Sequence, residues 1–85
     1  MSYSIILEKK AAKFISKLPQ NEKTRVLRAI NNLPSGDTKK LKGQQDNEYY
    51  RLRVGDYRII YTINNDELII CVVDAGNRGQ IYNKY

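Results

Sequence analysis

The sequence predicts an α+β fold in which an N-terminal strand and a two-helix hairpin pack on one face of a small antiparallel sheet. Apolar residues recur at helical spacing between positions 9 and 33, and at strand spacing after position 48. The chain has 85 residues, enough for one small core. We therefore expect residues 1–85 to form a single domain.

The first half of the chain predicts one strand and two helices. Ser4–Leu7 is short, apolar and β-branched, which is typical of a strand. From Lys9 the apolar residues recur at steps of three and four, and Pro19 ends this first helix. A second stretch with the same spacing begins after Asn21 and ends at Pro34.

The second half predicts a long connection followed by three antiparallel strands. Gly36 to Asn47 contains turn formers and several lysines, so we expect a connection without regular structure. Clusters of Gly, Asn and Asp then separate three strand-like runs as hairpin turns do. These runs are Glu48 to Val54, Tyr57 to Ile63 and Glu67 to Asp74.

Alternation within the first of these strands predicts two unlike sheet faces. The segment Tyr50–Val54 sends its apolar residues to one face and Arg51 and Arg53 to the other, and Tyr49 shares the arginine face. Arg58, on the next strand, joins that face only if the pairing register permits. With the helices on the apolar face, we expect the basic face to be open to a partner.

The composition limits the partners that the protein can bind and the kinds of catalysis that it can carry out. A net charge of +6 indicates a polyanionic partner such as nucleic acid, an anionic membrane or an acidic protein. The absence of histidine excludes imidazole catalysis, and the single cysteine, Cys71, excludes an internal disulfide. The single cysteine also favours a reducing, cytoplasmic location. No apolar run approaches the roughly 20 residues of a spanning helix, so we expect no membrane partner. We also expect no metal and no cofactor.

Arginine is the sole basic residue type between Glu48 and Gly79, although lysines dominate elsewhere. The four arginines of this segment are Arg51, Arg53, Arg58 and Arg78. The planar guanidinium binds phosphate through paired hydrogen bonds, and Tyr49 and Tyr82 offer stacking surfaces for unpaired RNA bases. The alternative is that the arginines merely solvate an open sheet face and the tyrosines fill half-buried strand positions.

Three short motifs follow one another along the chain. They are Lys40-Leu41-Lys42-Gly43, a Gly-x-Tyr-Arg-x-x-Tyr segment at 55–61 and an Arg-Gly-x-x-Tyr segment at 78–82. In this order and spacing the chain resembles the RelE toxins of the RelE/ParE superfamily over nearly its whole length. The resemblance implies the toxin of a type II toxin–antitoxin system, a metal-independent endoribonuclease that cleaves mRNA in the ribosomal A site. It also implies a RelB-like antitoxin as partner.

The resemblance further implies individual roles. Arg58 matches the arginine that holds the scissile phosphate, and Arg78 the one that stabilises the phosphate or protonates the leaving oxygen. Tyr82 matches the tyrosine that stacks on or orients the attacked nucleotide. Arg53 matches a supporting basic position, and Arg51 stands where well-studied members carry a lysine proposed as general base.

The candidate residues form two sets. The catalytic candidates are Arg51, Arg58, Arg78 and Tyr82. The RNA-binding candidates are Tyr49, Arg53, Lys39, Lys40 and Lys42, of which the three lysines equally fit a solvated loop. Arginine and tyrosine, with pKa values above about 12 and near 10, are poor bases at neutral pH. We therefore expect attack by the RNA 2′-hydroxyl to depend mainly on positioning and charge stabilisation.

Two other functions fit the same fold. One is a ParE-like inhibitor of DNA gyrase that cleaves no RNA, and the other is a catalytically degenerate binding protein. The ParE-like branch generally lacks the matching arginines and tyrosine, so their presence in this sequence favours the nuclease.

Overall fold

The computed structural model describes residues 3–41 and 48–81. Its strands are β1 (Ser4–Leu7), β2 (Thr38–Lys40), β3 (Tyr50–Val54), β4 (Tyr57–Asn64) and β5 (Ile69–Asn77). Its helices are α1 (Lys9–Ser16), α2 (Gln20–Asn31) and α3 (Arg78–Ile81). Within these ranges no helix combines the length and the apolar character needed to cross a bilayer.

The strands form one five-stranded sheet in the order β1-β5-β4-β3-β2. The pairs β2–β3, β3–β4 and β4–β5 are antiparallel, whereas β1 runs parallel to β5. The predicted α+β class is confirmed, but the sheet is mixed. The parallel pair consists of β1, the first strand, and β5, the last strand, which lie side by side.

Two predicted boundaries were wrong. The supposed structureless connection contains β2, whose residues Thr38–Lys40 pair with β3. Three polar residues carry no hydrophobic pattern, so this short edge strand is specified by the hydrogen-bonding edge of β3 and not by its own composition. The last strand, expected to end at Asp74, continues to Asn77, and α3 follows it directly.

The core lies between the helical hairpin and one face of the sheet. The apolar stripes of α1 and α2 bury Ala11, Ile15, Val26 and Ile30 against the sheet. The sheet contributes, among others, Leu52, Ile59, Tyr61, Ile70 and Val72. On this face the rings of Tyr50 and Tyr61 stack with centroids 5.4 Å apart, so aromatic contacts reinforce the β3–β4 pairing.

The opposite sheet face is less open than the alternation predicted. Ile60 lies on it, because its partner in the register is Arg51, yet Ile60 is only 2% exposed. Arg58 on the same face is 6% exposed. This face therefore has a buried centre with charged side chains around it.

Cys71 lies within β5 and is half-buried. Its thiol donates a hydrogen bond to Oε2 of Glu8 at 3.0 Å. Burial, together with the hydrogen bond and negative charge of Glu8, raises the pKa of the Cys71 thiol to about 11. The thiol is consequently a weak nucleophile in the folded protein.

The two sides of the sheet make a matched test of core packing. Ile59→Ala removes a fully buried side chain, and we expect a loss of about 2–5 kcal/mol in the free energy of unfolding. Ile6→Ala makes the same change at a side chain that is 47% exposed, with an expected loss below about 0.5 kcal/mol. Urea denaturation measures both, and equal losses would contradict the assigned core.

Thiol labelling tests the environment of Cys71. At pH 8 we expect N-ethylmaleimide to label the native protein on the order of a hundredfold more slowly than the urea-unfolded chain, because fewer thiols are ionised. Glu8→Gln removes the adjacent negative charge and is expected to speed native labelling. Equal rates for native and unfolded protein, measured by mass spectrometry, would contradict the assigned environment.

Candidate nucleic-acid interface

The β3–β4 hairpin sets two arginines side by side. Gly55 adopts a left-handed backbone conformation, φ 58°, in the two-residue turn that fixes the strand register. In that register Arg53 lies directly opposite Arg58, so both side chains project from the same face.

The pairing of β2 with β3 adds a second like-charged pair to this face. Lys39 lies opposite Arg51, and strand alternation puts both on the side of Arg53. Lys40 lies opposite Tyr50 on the other face, where its ammonium pairs with Oε2 of Glu48 at 2.8 Å. Lys39 and Lys40 therefore lie on opposite faces of the sheet.

Arg78 approaches the same region from the end of β5. It begins α3, and its backbone N–H donates to the carbonyl of Asp56, in the β3–β4 turn, at 2.9 Å. Gly76, two residues earlier, pairs with Arg58. The hairpin turn thus anchors the backbone of Arg78 beside the strand that carries Arg58.

Arg58 is the buried member of the basic cluster formed by Lys39, Arg51, Arg53, Arg58 and Arg78. Its Nη1 atom is buried and, among the described residues, has no hydrogen-bond partner; the same holds for Nε of Arg51. Burial lowers the pKa of Arg58, and the positive charges of Arg51, Arg53 and Arg78 lower it further. A buried cation with cationic neighbours is stabilised by an anion placed nearby.

The structure adds Asp37, a residue that the sequence analysis did not select. Its Oδ2 accepts a hydrogen bond from Nε of Arg53 at 2.7 Å, and its Oδ1 lies 3.8 Å from Nη2 of Arg51. The hydrogen bond from Arg53 holds the pKa of this carboxyl below its usual range. In the sequence, Asp37 is distinguished as the single acidic residue of an otherwise basic stretch, residues 37–42, which could have indicated an ion pair with an arginine.

The remaining candidates have different positions. Tyr49 is half-buried immediately before β3, and its carbonyl accepts a hydrogen bond from the N–H of Leu41 at 2.8 Å. Tyr82 and Lys42 lie outside the described residues.

Two aspartates lie close to the arginines in the sequence, Asp56 and Asp74. Asp56 occupies the β3–β4 turn, as predicted. Asp74, the predicted end of the last strand, lies inside β5, where its buried carboxylate pairs with Nζ of Lys10 at 3.0 Å. Helix α1 therefore supplies a counter-charge to Asp74.

The donor set of the basic cluster suits an oxyanion. Guanidinium and ammonium groups offer only N–H donors and fixed positive charge, and they serve poorly as proton acceptors. Among residues 3–41 and 48–81, no three His, Cys, Asp or Glu side chains lie together in a group able to hold a metal ion. The cluster can bind a phosphate group and stabilise added negative charge on it.

The chain is similar to a known protein family over most of its length. A family model described as the ParE toxin of the type II toxin-antitoxin system parDE matches residues 5–82. A search of curated proteins found no match.

Solved structures give further matches. The archaeal RelE–RelB complex from Pyrococcus horikoshii OT3 matches with 31% identity and a TM-score of 0.75, covering 94% of this chain and 99% of that chain. The RelB–RelE complex from Methanococcus jannaschii matches with 30% identity and a TM-score of 0.69, covering 94% and 98%. The RelBE2 complex from Mycobacterium tuberculosis, at 20% identity and a TM-score of 0.77, covers 92% and 100% and shares the fold.

Replacing Arg58 by an apolar residue tests the electrostatic cost of the cluster. We expect Arg58→Met to raise the free energy of unfolding by about 1–2 kcal/mol, because it removes a buried charge and a like-charged cross-strand pair. The control Arg28→Met, at an exposed position of α2, is expected to change stability by less than about 0.5 kcal/mol. Marked destabilisation by Arg58→Met in urea unfolding would contradict this account.

Proposed function

Because the chain belongs to the RelE/ParE superfamily of type II toxins, we propose that it is a ribosome-dependent endoribonuclease that cleaves mRNA in the ribosomal A site. The superfamily also contains ParE-like proteins that are not ribonucleases, so membership alone does not choose the activity. The choice depends on the basic cluster.

The observation that carries the proposal is the pairing of like charges on one sheet face. Arg53 opposes Arg58, and Lys39 opposes Arg51. Like charges in directly opposed cross-strand positions destabilise a sheet. A phosphodiester bound across these pairs would convert that repulsion into attraction, so the arrangement is better suited to binding an RNA backbone than to a free surface.

The proposed reaction is an in-line transesterification. The 2′-oxygen attacks the adjacent phosphorus, and the bond from phosphorus to the 5′-oxygen breaks. The 2′-hydroxyl gives its proton to solvent and the departing 5′-oxygen takes one up, so the products carry a 2′,3′-cyclic phosphate and a 5′-hydroxyl. We assign Arg51 and Arg58 to the non-bridging oxygens, where charge accumulates in the phosphorane. Arg78 is assigned to the leaving oxygen, and Tyr82 to stacking on the attacked nucleotide.

Proton removal is the demanding step for this donor set. Arginine holds its proton at neutral pH, and the charges around Arg58 do not make it an effective base. We therefore propose that acceleration comes from alignment of the 2′-hydroxyl and stabilisation of the phosphorane, with the ribosome ordering the mRNA. Such a protein is expected to cleave free RNA only slowly.

The outer part of the interface is proposed to bind flanking nucleotides. Lys39 extends the basic cluster along β2, and Arg53, with its side chain half exposed, is accessible to a neighbouring phosphate. Tyr49 is assigned to base stacking. Lys40 and Lys42 are proposed to contact ribosomal RNA, which for Lys40 requires release from Glu48.

The proposed partners are a RelB-like antitoxin and the ribosome. The solved relatives from Pyrococcus horikoshii and Methanococcus jannaschii are complexes of RelE with RelB, which supports an antitoxin for this chain. A ribosomal substrate also implies a cytoplasmic location. An antitoxin segment with acidic residues would complement the net charge of +6.

Gyrase inhibition is the second candidate, favoured by the ParE description of the matching family model. It predicts a protein target and no RNA cleavage. The two candidates are distinguished by one pair of assays on the same purified protein.

The first assay is translation of a defined mRNA on purified ribosomes, with fragment ends mapped by primer extension. We expect cuts at codon positions, slowed about 100- to 1000-fold by Arg78→Ala, by analogy with removal of one transition-state donor. The control Arg28→Ala removes another exposed arginine, from α2, and is expected to leave the rate unchanged. The second assay is gyrase supercoiling: intact mRNA together with inhibited supercoiling would overturn the nuclease in favour of the ParE-like function.

A further inference from the structure

Asp37 occupies the donors that a phosphate would use. Its carboxylate contacts Nε of Arg53 at 2.7 Å and faces Nη2 of Arg51 at 3.8 Å. Its negative charge also raises the pKa of Arg58, whereas burial and the neighbouring arginines lower that pKa. A carboxylate and a phosphate recognise guanidinium through the same planar hydrogen-bond geometry. Both anions therefore compete for one set of N–H groups.

The backbone at Asp37 is held independently of its side chain. The N–H of Arg53 donates to the carbonyl of Asp37 at 2.9 Å, and the preceding Gly36 has φ 113°, a conformation that favours glycine. The side chain, in contrast, is 48% exposed. The carboxylate can turn out to water by side-chain rotation while the loop stays in place.

We propose that Asp37 is the resident anion of the phosphate site: it holds the guanidinium groups of Arg51 and Arg53 in position in the free protein and is displaced by an RNA phosphate on binding. This inference rests on the proposed function, because it takes the incoming anion to be RNA. It makes Asp37 a positioning residue with two effects. The carboxylate orders the arginines and offsets their repulsion, and it weakens RNA binding by competition.

Displacement is favourable because the exchange is unequal. A partly exposed carboxylate–guanidinium pair contributes little to stability, and water solvates the released carboxylate. An RNA strand carries successive phosphates, so one phosphate can take the N–H groups of Arg51 and Arg53 that Asp37 contacts while its neighbours lie against other members of the basic cluster. RNA therefore gains more ionic contacts than the carboxylate gives up.

A double-mutant cycle on RNA binding tests this inference. The probe is a fluorescein-labelled single-stranded RNA of 12 nucleotides, with dissociation constants measured by anisotropy at fixed low salt. We expect Asp37→Asn to bind about fivefold or more tightly than the wild type, the scale of one unit charge removed about 4 Å from a phosphate in water. The control Asp66→Asn makes the same charge change in the β4–β5 turn, at the far end of β4, and is expected to bind like the wild type.

Arg53→Gln completes the cycle. If Asp37 competes for Arg53, the gain from Asp37→Asn is expected to shrink to less than half in the Arg53→Gln background. An equal gain in both backgrounds indicates long-range repulsion alone and overturns the inference, as does no gain in the wild-type background. Thermal melts of each variant exclude a loss of folding as the cause.

The same measurements separate this inference from the proposed function. If Arg53→Gln and Arg78→Ala both leave RNA affinity unchanged, the basic cluster is not an RNA site and the proposed function fails with the inference. If they weaken binding while Asp37→Asn has no effect, the RNA site stands and the role of Asp37 is rejected.

Discussion

The register of the β3–β4 hairpin is the constraint on which the candidate site depends. A two-residue turn at Gly55 and Asp56 places Arg53 opposite Arg58, and the same turn holds the backbone of Arg78 through the carbonyl of Asp56. A shift of one residue would send Arg58 to the helical side of the sheet. The turn therefore decides whether these cations share a surface at all.

This arrangement separates apolar packing from charge across the sheet. On the helical side, aliphatic residues and the stacked pair Tyr50–Tyr61 hold the strands together. On the opposite side, Arg58 is buried beside other cations, and Asp37 provides a nearby carboxylate as partial compensation. The core thus supports an arrangement of like charges that is unfavourable by itself.

Much of this architecture was predictable, because it rests on local patterns. Alternation in Tyr50–Val54 was sufficient to separate Arg51 and Arg53 from the core. The face occupied by Arg58 required the register, and the position of Asp37 required β2, a polar edge strand that forms only against β3. Pairwise strand geometry is a tertiary property, which is why composition and periodicity did not identify Asp37 or the position of Lys39 opposite Arg51.

The central claim is that these guanidinium groups act together on one oxyanion. The most direct measurement is a crystal structure of the protein soaked with tungstate, a heavy phosphate analogue located by its anomalous scattering. The account predicts one tungstate bound to both Arg53 and Arg58, with the carboxylate of Asp37 turned away from Arg53. A structure in which tungstate ignores this face while the Asp37–Arg53 pair stays closed would contradict the account.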